Sequence, residues 1–135
     1  MAYRITFVVD LFKRGEQPLS DASLNVMLLA LMAIDELYLK AHPETPLLYS
    51  SGVVYQEEPP GAEDWQDIPT CLKLRWGDCE DLACWRAAEL RVRYGIAAVP
   101  FFTRQVKSDG STLYHIMVRL PDGRTEDPSR QLGMR

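Results

Sequence analysis

Histidine and cysteine are scarce in this 135-residue chain, which has two of the first and three of the second. An odd, low cysteine count does not make a disulfide framework, and a reducing cytoplasm is the simplest home for it. There is no C-x-x-C pair and no His pair, so zinc-ligand spacing is missing and a site from Cys71, Cys79, Cys84 and His115 has little support. Basic runs are also missing. The net charge is −4, which argues against nucleic acid, because phosphate binding needs concentrated positive charge. No stretch approaches the roughly 18 uninterrupted apolar residues of a membrane span. The greasiest run, Leu24 to Ile34, contains Asn25 and is followed by Asp35 and Glu36. The first residues, "MAYRITFVVDLFKRGE", lack the long apolar core and small-residue cleavage site of a secretory signal. Internal repeats and low-complexity segments are absent. A cytoplasmic protein with one domain over 1–135 is expected.

What is present is a sequence of punctuated elements. Tyr3 to Phe12 alternates, with Ile5, Phe7, Val9 and Leu11 on one face, the pattern of a half-buried strand. Ser20 or Asp21 can cap a helix running to about Ala41, apolar on so many sides that it should be largely buried. Pro43 and Pro46 end it. Residues 47 to 70 are irregular, with a short strand at Val53 to Gln56 and then a loop marked by Pro59, Pro60, Gly61 and Pro69. A second helix is well signalled from Asp78 to about Tyr94: Asp78 caps it, Asp81 follows at capping-box spacing, Glu89 and Arg93 form an i,i+4 pair, and Gly95 ends it. Ile96 to Val106 and Thr112 to Leu120 are strands around "KSDGS", and "PDG" at 121–123 leads into Arg124 to Asp127. Strand, helix, irregular loop, helix and then strands is an α+β order.

The chemistry gathers around "GDCEDLACW" at 77–85. With Asp78 as cap, Cys79 is the first helical residue, beside free backbone N–H groups and the positive end of the helix dipole, which favour thiolate. Asp78, Glu80 and Asp81 oppose that by repulsion. Their expected role is capping and dipole pairing, and an imidazolium partner would offset them. Cys84 lies roughly 140° further round the helix and, like Cys71, should be a buried small residue. His42 sits at a helix end and should be a surface residue. His115, inside "TLYHIMVRL", shares a strand face with Leu113, Met117 and Arg119.

Turn geometry links His115 to a carboxylate. If "PDG" is a three-residue loop with Gly123 in the left-handed region, Leu120 pairs with Arg124 and Met117 with Asp127. Asp127 then falls on the face of His115, at a diagonal of about 5.5 to 8 Å. A two- or four-residue loop would reverse that face. Pro128 holds Asp127 extended. Cys79 as nucleophile, His115 as base and Asp127 as orienter make a thiol triad.

These motifs, "GDCEDLA" and then "YHIMVRLPDGRTEDPS", resemble the transglutaminase-like superfamily of papain-like thiol enzymes. Cys79 matches a Cys opening a buried helix, Ala83 the small residue behind it, His115 a His on a strand with a downstream Val, and Asp127 an Asp in a D-P-[ST] element. The resemblance covers about fifty residues, from Trp76 to Ser129. The size and the "YQEEPPGAEDWQ" stretch also resemble small members encoded by tailed phages and prophages. The resemblance implies a central helix bearing the Cys packed on an antiparallel sheet. It also implies acyl transfer through a thioester without metal or organic cofactor, with hydrolysis (a cysteine peptidase or amidase) ahead of transamidation. The partner is then a protein or peptide substrate. Peptidoglycan, or phage structural proteins bound by a catalytically silent module of the same fold, are the alternatives. Larger relatives place a Trp or Gln upstream of the Cys to complete an oxyanion hole. Trp65, Gln66 and Trp76 are the candidates for one donor, and the backbone N–H of Cys79 for the other.

Overall fold

The computed structural model describes residues 17–59 and 64–135, the side chains of 17–20 excepted. The expected strand at Tyr3 to Phe12 lies outside the described residues. Four helices and five strands follow in order: α1 (Gln17–Ala41), β1 (Val54–Tyr55), α2 (Ile68–Leu74), β2 (Trp76–Gly77), α3 (Cys79–Tyr94), β3 (Val99–Val106), β4 (Thr112–Arg119), β5 (Thr125–Glu126) and α4 (Pro128–Gln131). A 3-10 turn covers Leu48–Ser50. β3, β4 and β5 form an antiparallel sheet in that order, and β1 pairs in parallel with β2. The architecture is α+β.

α3 is the central element. Leu82, Ala83, Cys84, Trp85, Ala87 and Ala88 are all fully buried, between α1 on one side and Ile116 and Val118 of β4 on the other. Such small residues let neighbouring elements approach closely, and Trp85 fills the volume they leave. The helix runs as its caps require: the Asp78 and Asp81 side chains form a capping box, and Gly95 closes the C-terminus at φ 64°.

α1 packs on α3 through one face. Leu24, Leu28, Leu31, Met32 and Leu39 are buried, but Val26 and Leu37 are exposed by 65% and 68%, and Leu29 and Ile34 are also exposed. Expected burial on most sides is therefore corrected to burial on one, since α3 and the sheet cover only that side among the described residues. Within α1, Asp21–Ala41 is long and apolar enough to cross a membrane by length and composition, with mean hydropathy 1.6. Counting uninterrupted runs misses this, because Asn25, Asp35 and Glu36 are outweighed in an average. A core helix passes the same test, as does a signal sequence near the N-terminus. The five buried residues, and Asp35 at 0% exposure accepting the Ile68 N–H at 3.0 Å, are features of a core helix.

The stretch expected to be loop holds α2. Asp67 caps it by accepting the Thr70 N–H at 3.1 Å, and Pro69 sits in its first turn, where a missing N–H costs nothing. Pro69 therefore starts a helix and does not mark a loop. A second correction concerns Glu89. It is 1% exposed and bonds Arg86 and the Leu48 N–H, both at 2.7 Å, in place of the expected i,i+4 pair with Arg93. Arg93 donates to the His42 carbonyl.

Candidate active site

Cys79 is the first residue of α3, directly after its cap. Gly77 is needed there for space. A Cβ at that position would stand 3.0 Å from Leu82 Cδ2 and 3.2 Å from both Asp81 Cβ and Cys71 Sγ. This crowding brings the strand β2 against the helix start, so the chain enters α3 under steric constraint.

β4 and β5 pair with Val118 opposite Glu126 and Arg119 opposite Thr125. The Leu120 N–H donates to the Arg124 carbonyl at 2.8 Å, and Gly123 takes φ 90°. This is the register of a three-residue loop. It sets Asp127 diagonal to His115, and His115 Nε2 lies 2.8 Å from Asp127 Oδ2. The other oxygen, Oδ1, accepts the Arg130 N–H at 3.2 Å and so caps α4, while Arg130 Nε lies 3.4 Å from Oδ2. One carboxylate therefore fixes a helix start and an imidazole together. With Nε2 engaged, Nδ1 is the ring nitrogen left for other chemistry; among the described residues no hydrogen bond takes it.

Cys79 and His115 line one cavity of about 330 Å³, together with Tyr55, Glu57, Trp65, Asp78 and Glu80. Cys79 is half-buried, and burial pushes its thiol up, followed by the charges of Glu80 and Asp78; the Ile116 N–H pulls the other way. Burial was missing from the sequence argument. A helix dipole contributes about 0.3–1 kcal/mol, whereas desolvation shifts a buried group by up to about 3–5 pK units, each worth about 1.4 kcal/mol. Burial outweighs the dipole and favours the thiol form. The thiol donates to Glu80 Oε2 at 3.4 Å.

The acids divide in role. Asp78 Oδ1 accepts the Cys79 N–H at 2.7 Å, and Asp81 Oδ2 accepts the Asp78 N–H at 2.9 Å. Asp81 Oδ1 accepts the buried Gln66 N–H at 2.8 Å, which ties the 64–67 segment to α3. Burial raises Asp81 to about 8 against these backbone donors. Glu80, only 6% exposed, is the exception to the expected capping: its Oε1 is buried with no partner among the described residues, and burial with the charges of Asp81 and Asp78 raises its pKa. Asp78–Cys79–Glu80 and Glu58–Glu80–Asp81 each bring ligand-type atoms within 4.8 Å of one another. What Asp78 and Asp81 hold, however, are backbone N–H groups.

The oxyanion candidates separate as well. Gln66 donates its side-chain N–H to the Trp76 carbonyl at 2.9 Å, and neither residue lines the cavity. Trp65 does line it. The Cys79 N–H, expected to be a free donor, is taken by Asp78 Oδ1, because the cap bonds the first helical amide itself. Cys71 and Cys84 are fully buried, and Cys84 Sγ donates to the Leu28 carbonyl at 3.4 Å. His42 accepts a place at the end of α1, stacked on Tyr38. Sequence reasoning passed over Glu80 as a site residue, since the second position of a helix is usually solvated and nothing local signals its burial.

The site is a helix-start thiol facing the same cavity as a carboxylate-bound imidazole, on an α+β framework. Compared with protein-family models, curated proteins and solved structures, the chain matches none.

Proposed function

We propose that the protein is a thiol acyl-transfer enzyme of the transglutaminase-like, papain-like class, using Cys79, His115 and Asp127. The observation that carries this is the 2.8 Å bond from His115 Nε2 to Asp127 Oδ2 beside the cavity that Cys79 lines. In this mechanism His115 Nδ1 takes the Cys79 proton, and the thiolate attacks an amide carbonyl. The imidazolium protonates the leaving amine, a thioester forms, and His115 then activates water for hydrolysis. Asp127 fixes the tautomer that leaves Nδ1 as the base and stabilises the imidazolium. Trp65 is the side chain of the three upstream candidates best situated to contact the substrate carbonyl. The proposed substrates are proteins or peptides, and no step uses a metal or an organic cofactor. The proposed location is the cytoplasm, or the virion if the chain is phage-encoded.

A second reading also has an observation behind it. Burial and neighbouring acids hold Cys79 as a thiol, and its own N–H is taken, which suits a silent module kept for assembly. Iodoacetamide labelling separates the two. Labelling of Cys79 at pH 6 to 7 faster than a free thiol, abolished in His115→Ala, is expected of the enzyme. Labelling no faster than a free thiol, and unchanged in His115→Ala, would refute it. Release of amines from cell-wall fragments rather than from peptides would redirect the substrate to peptidoglycan.

A further inference from the structure

We propose that Glu80 works as a neutral carboxylic acid that donates a hydrogen bond to the Cys79 thiolate, making it an activating partner of the nucleophile rather than an obstacle to it. This rests on the thiol reading above but concerns a residue that the triad does not use.

The geometry supports it in three ways. Glu80 Oε2 is 3.4 Å from Cys79 Sγ, a contact equally open to a thiol donating to a carboxylate or an acid donating to a thiolate. Glu80 is 6% exposed, so an ionised form has little water to solvate it. Its second oxygen, Oε1, is buried without a partner among the described residues. A carboxylate left in this state would hold an unsatisfied oxygen carrying part of a buried charge, whereas a neutral acid has a weaker acceptor there and uses its proton on the sulfur.

Among the described residues that approach Glu80 or line its cavity, no Lys or Arg offsets a charge on it. On its own helix stand Asp78, Cys79 and Asp81; Glu58 approaches the Glu80 and Asp81 carboxyls, Tyr55 and Glu57 line the cavity from the β1 side, and His115 lines it from β4. Among these described residues only His115 can become positive. Asp78 and Asp81 each have oxygens engaged by backbone N–H groups, while no such bond from another residue reaches Glu80. The proton is thus best kept on Glu80. Burial and the two neighbouring charges push its carboxyl in the same direction.

Protons balance without an outside reagent. The thiol proton moves to His115 Nδ1, giving imidazolium. Glu80 retains its own proton and turns it toward the sulfur. The three groups are then one thiolate, one neutral acid and one imidazolium, with no net change in charge. A carboxyl kept neutral by its surroundings so that it can donate is a known device of enzyme sites.

The test is the pH dependence of Cys79 alkylation in the full chain, with Glu80→Gln and Glu80→Ala compared with wild type. A neutral Glu80 predicts that Glu80→Gln, which preserves shape and an N–H donor, alkylates within about twofold of wild type at pH 7. Glu80→Ala loses the donor and slows about tenfold or more, the worth of a hydrogen bond to a charged group. An ionised Glu80 predicts the reverse, acceleration of about tenfold or more in both variants, because a buried negative charge next to the thiolate is gone. Acceleration in either variant, or an unchanged rate in Glu80→Ala, overturns the proposal. Should Glu80→Ala fail to fold, Glu80→Gln still decides, together with a wild-type minus Glu80→Gln infrared difference spectrum, in which one protonated-carboxyl band is expected to be lost. His115→Ala provides the separation from the triad itself: loss of the Glu80 effect with a surviving His115 dependence sinks this inference alone.

Discussion

Asp81→Ala is the perturbation that best tests how the site is held. Asp81 is fully buried and accepts two backbone N–H groups, Gln66 at 2.8 Å and Asp78 at 2.9 Å. Truncation orphans both. The Gln66 donor is buried, and leaving such a donor unmade costs about 1–3 kcal/mol. The Asp78 donor is half-buried and belongs to the capping box, whose loss costs about 0.5–2 kcal/mol. The sum is about 1.5–5 kcal/mol, less a small relief from removing an acid that burial disfavours. Against a total stability of about 5–15 kcal/mol this is a large fraction. Asp78→Ala, which loses its side-chain share of the cap, to Cys79 and the N3 amide, and a long 3.5 Å bond from the Glu58 N–H, should cost about 1 kcal/mol. Urea unfolding followed by tryptophan fluorescence would read both. With an m-value of about 1–3 kcal/mol/M, a 3 kcal/mol loss moves the midpoint by about 1–3 M. Hydrogen exchange at the Gln66 amide should rise in Asp81→Ala well beyond the global change. A loss under about 1 kcal/mol, or one no larger than that of Asp78→Ala, would refute the claim that Asp81 anchors the 64–67 segment to α3.

Gly77→Ala should destabilise by about 1–3 kcal/mol in the same assay, since its Cβ meets Leu82 and Asp81 at 3.0–3.2 Å in a packed region; a change under about 0.5 kcal/mol would show that the helix start gives way easily. Asp127→Asn should reduce any peptidase activity by about 10²- to 10⁴-fold, because the amide can favour the wrong imidazole tautomer, while thermal stability changes little; equal activity would remove Asp127 from the mechanism. Stability should fall as pH rises from about 4 to 8. Asp81 is raised to about 8, and Asp35, Glu80 and Glu89 are also raised, each chiefly by burial. Unfolded carboxyls titrate near pH 4, so over this window the folded state binds more protons, and its advantage, full below about pH 4, is lost as pH passes the folded values. Urea midpoints from pH 4.5 to 8 would check this, and a midpoint that rises across that range would contradict it.

The sequence read some elements closely for a physical reason. The limits of α3 follow from Asp78, Asp81 and Gly95, which act through bonds to backbone only a few residues away, so no distant partner can change them. The bond of His115 to Asp127 was legible because turn length fixes strand parity: Gly123 selects the loop, the loop selects the register, and the register selects the face. What failed is equally specific. α2 was hidden because Asp67 and Pro69 look like loop residues until a following turn is packed, and the buried Asp35 that receives the Ile68 N–H comes from 33 residues away. The exposed side of α1 could not be seen, since an apolar residue does not state whether anything covers it.

For this protein, sequence alone determined where the central helix starts and stops, and that a histidine and an aspartate meet across one strand pair. Those are matters of local bonding and of the two-residue period of a strand. Tertiary structure alone decided the burial of the thiol and the direction in which it is pushed. Burial is the sum of contacts from α1, the 64–67 segment and β4, and it sets the dielectric around Cys79 and Glu80. The same acids that in sequence look like ordinary helix-start charges include, once enclosed, Glu80 and Asp81, whose carboxyls burial raises beside Cys79.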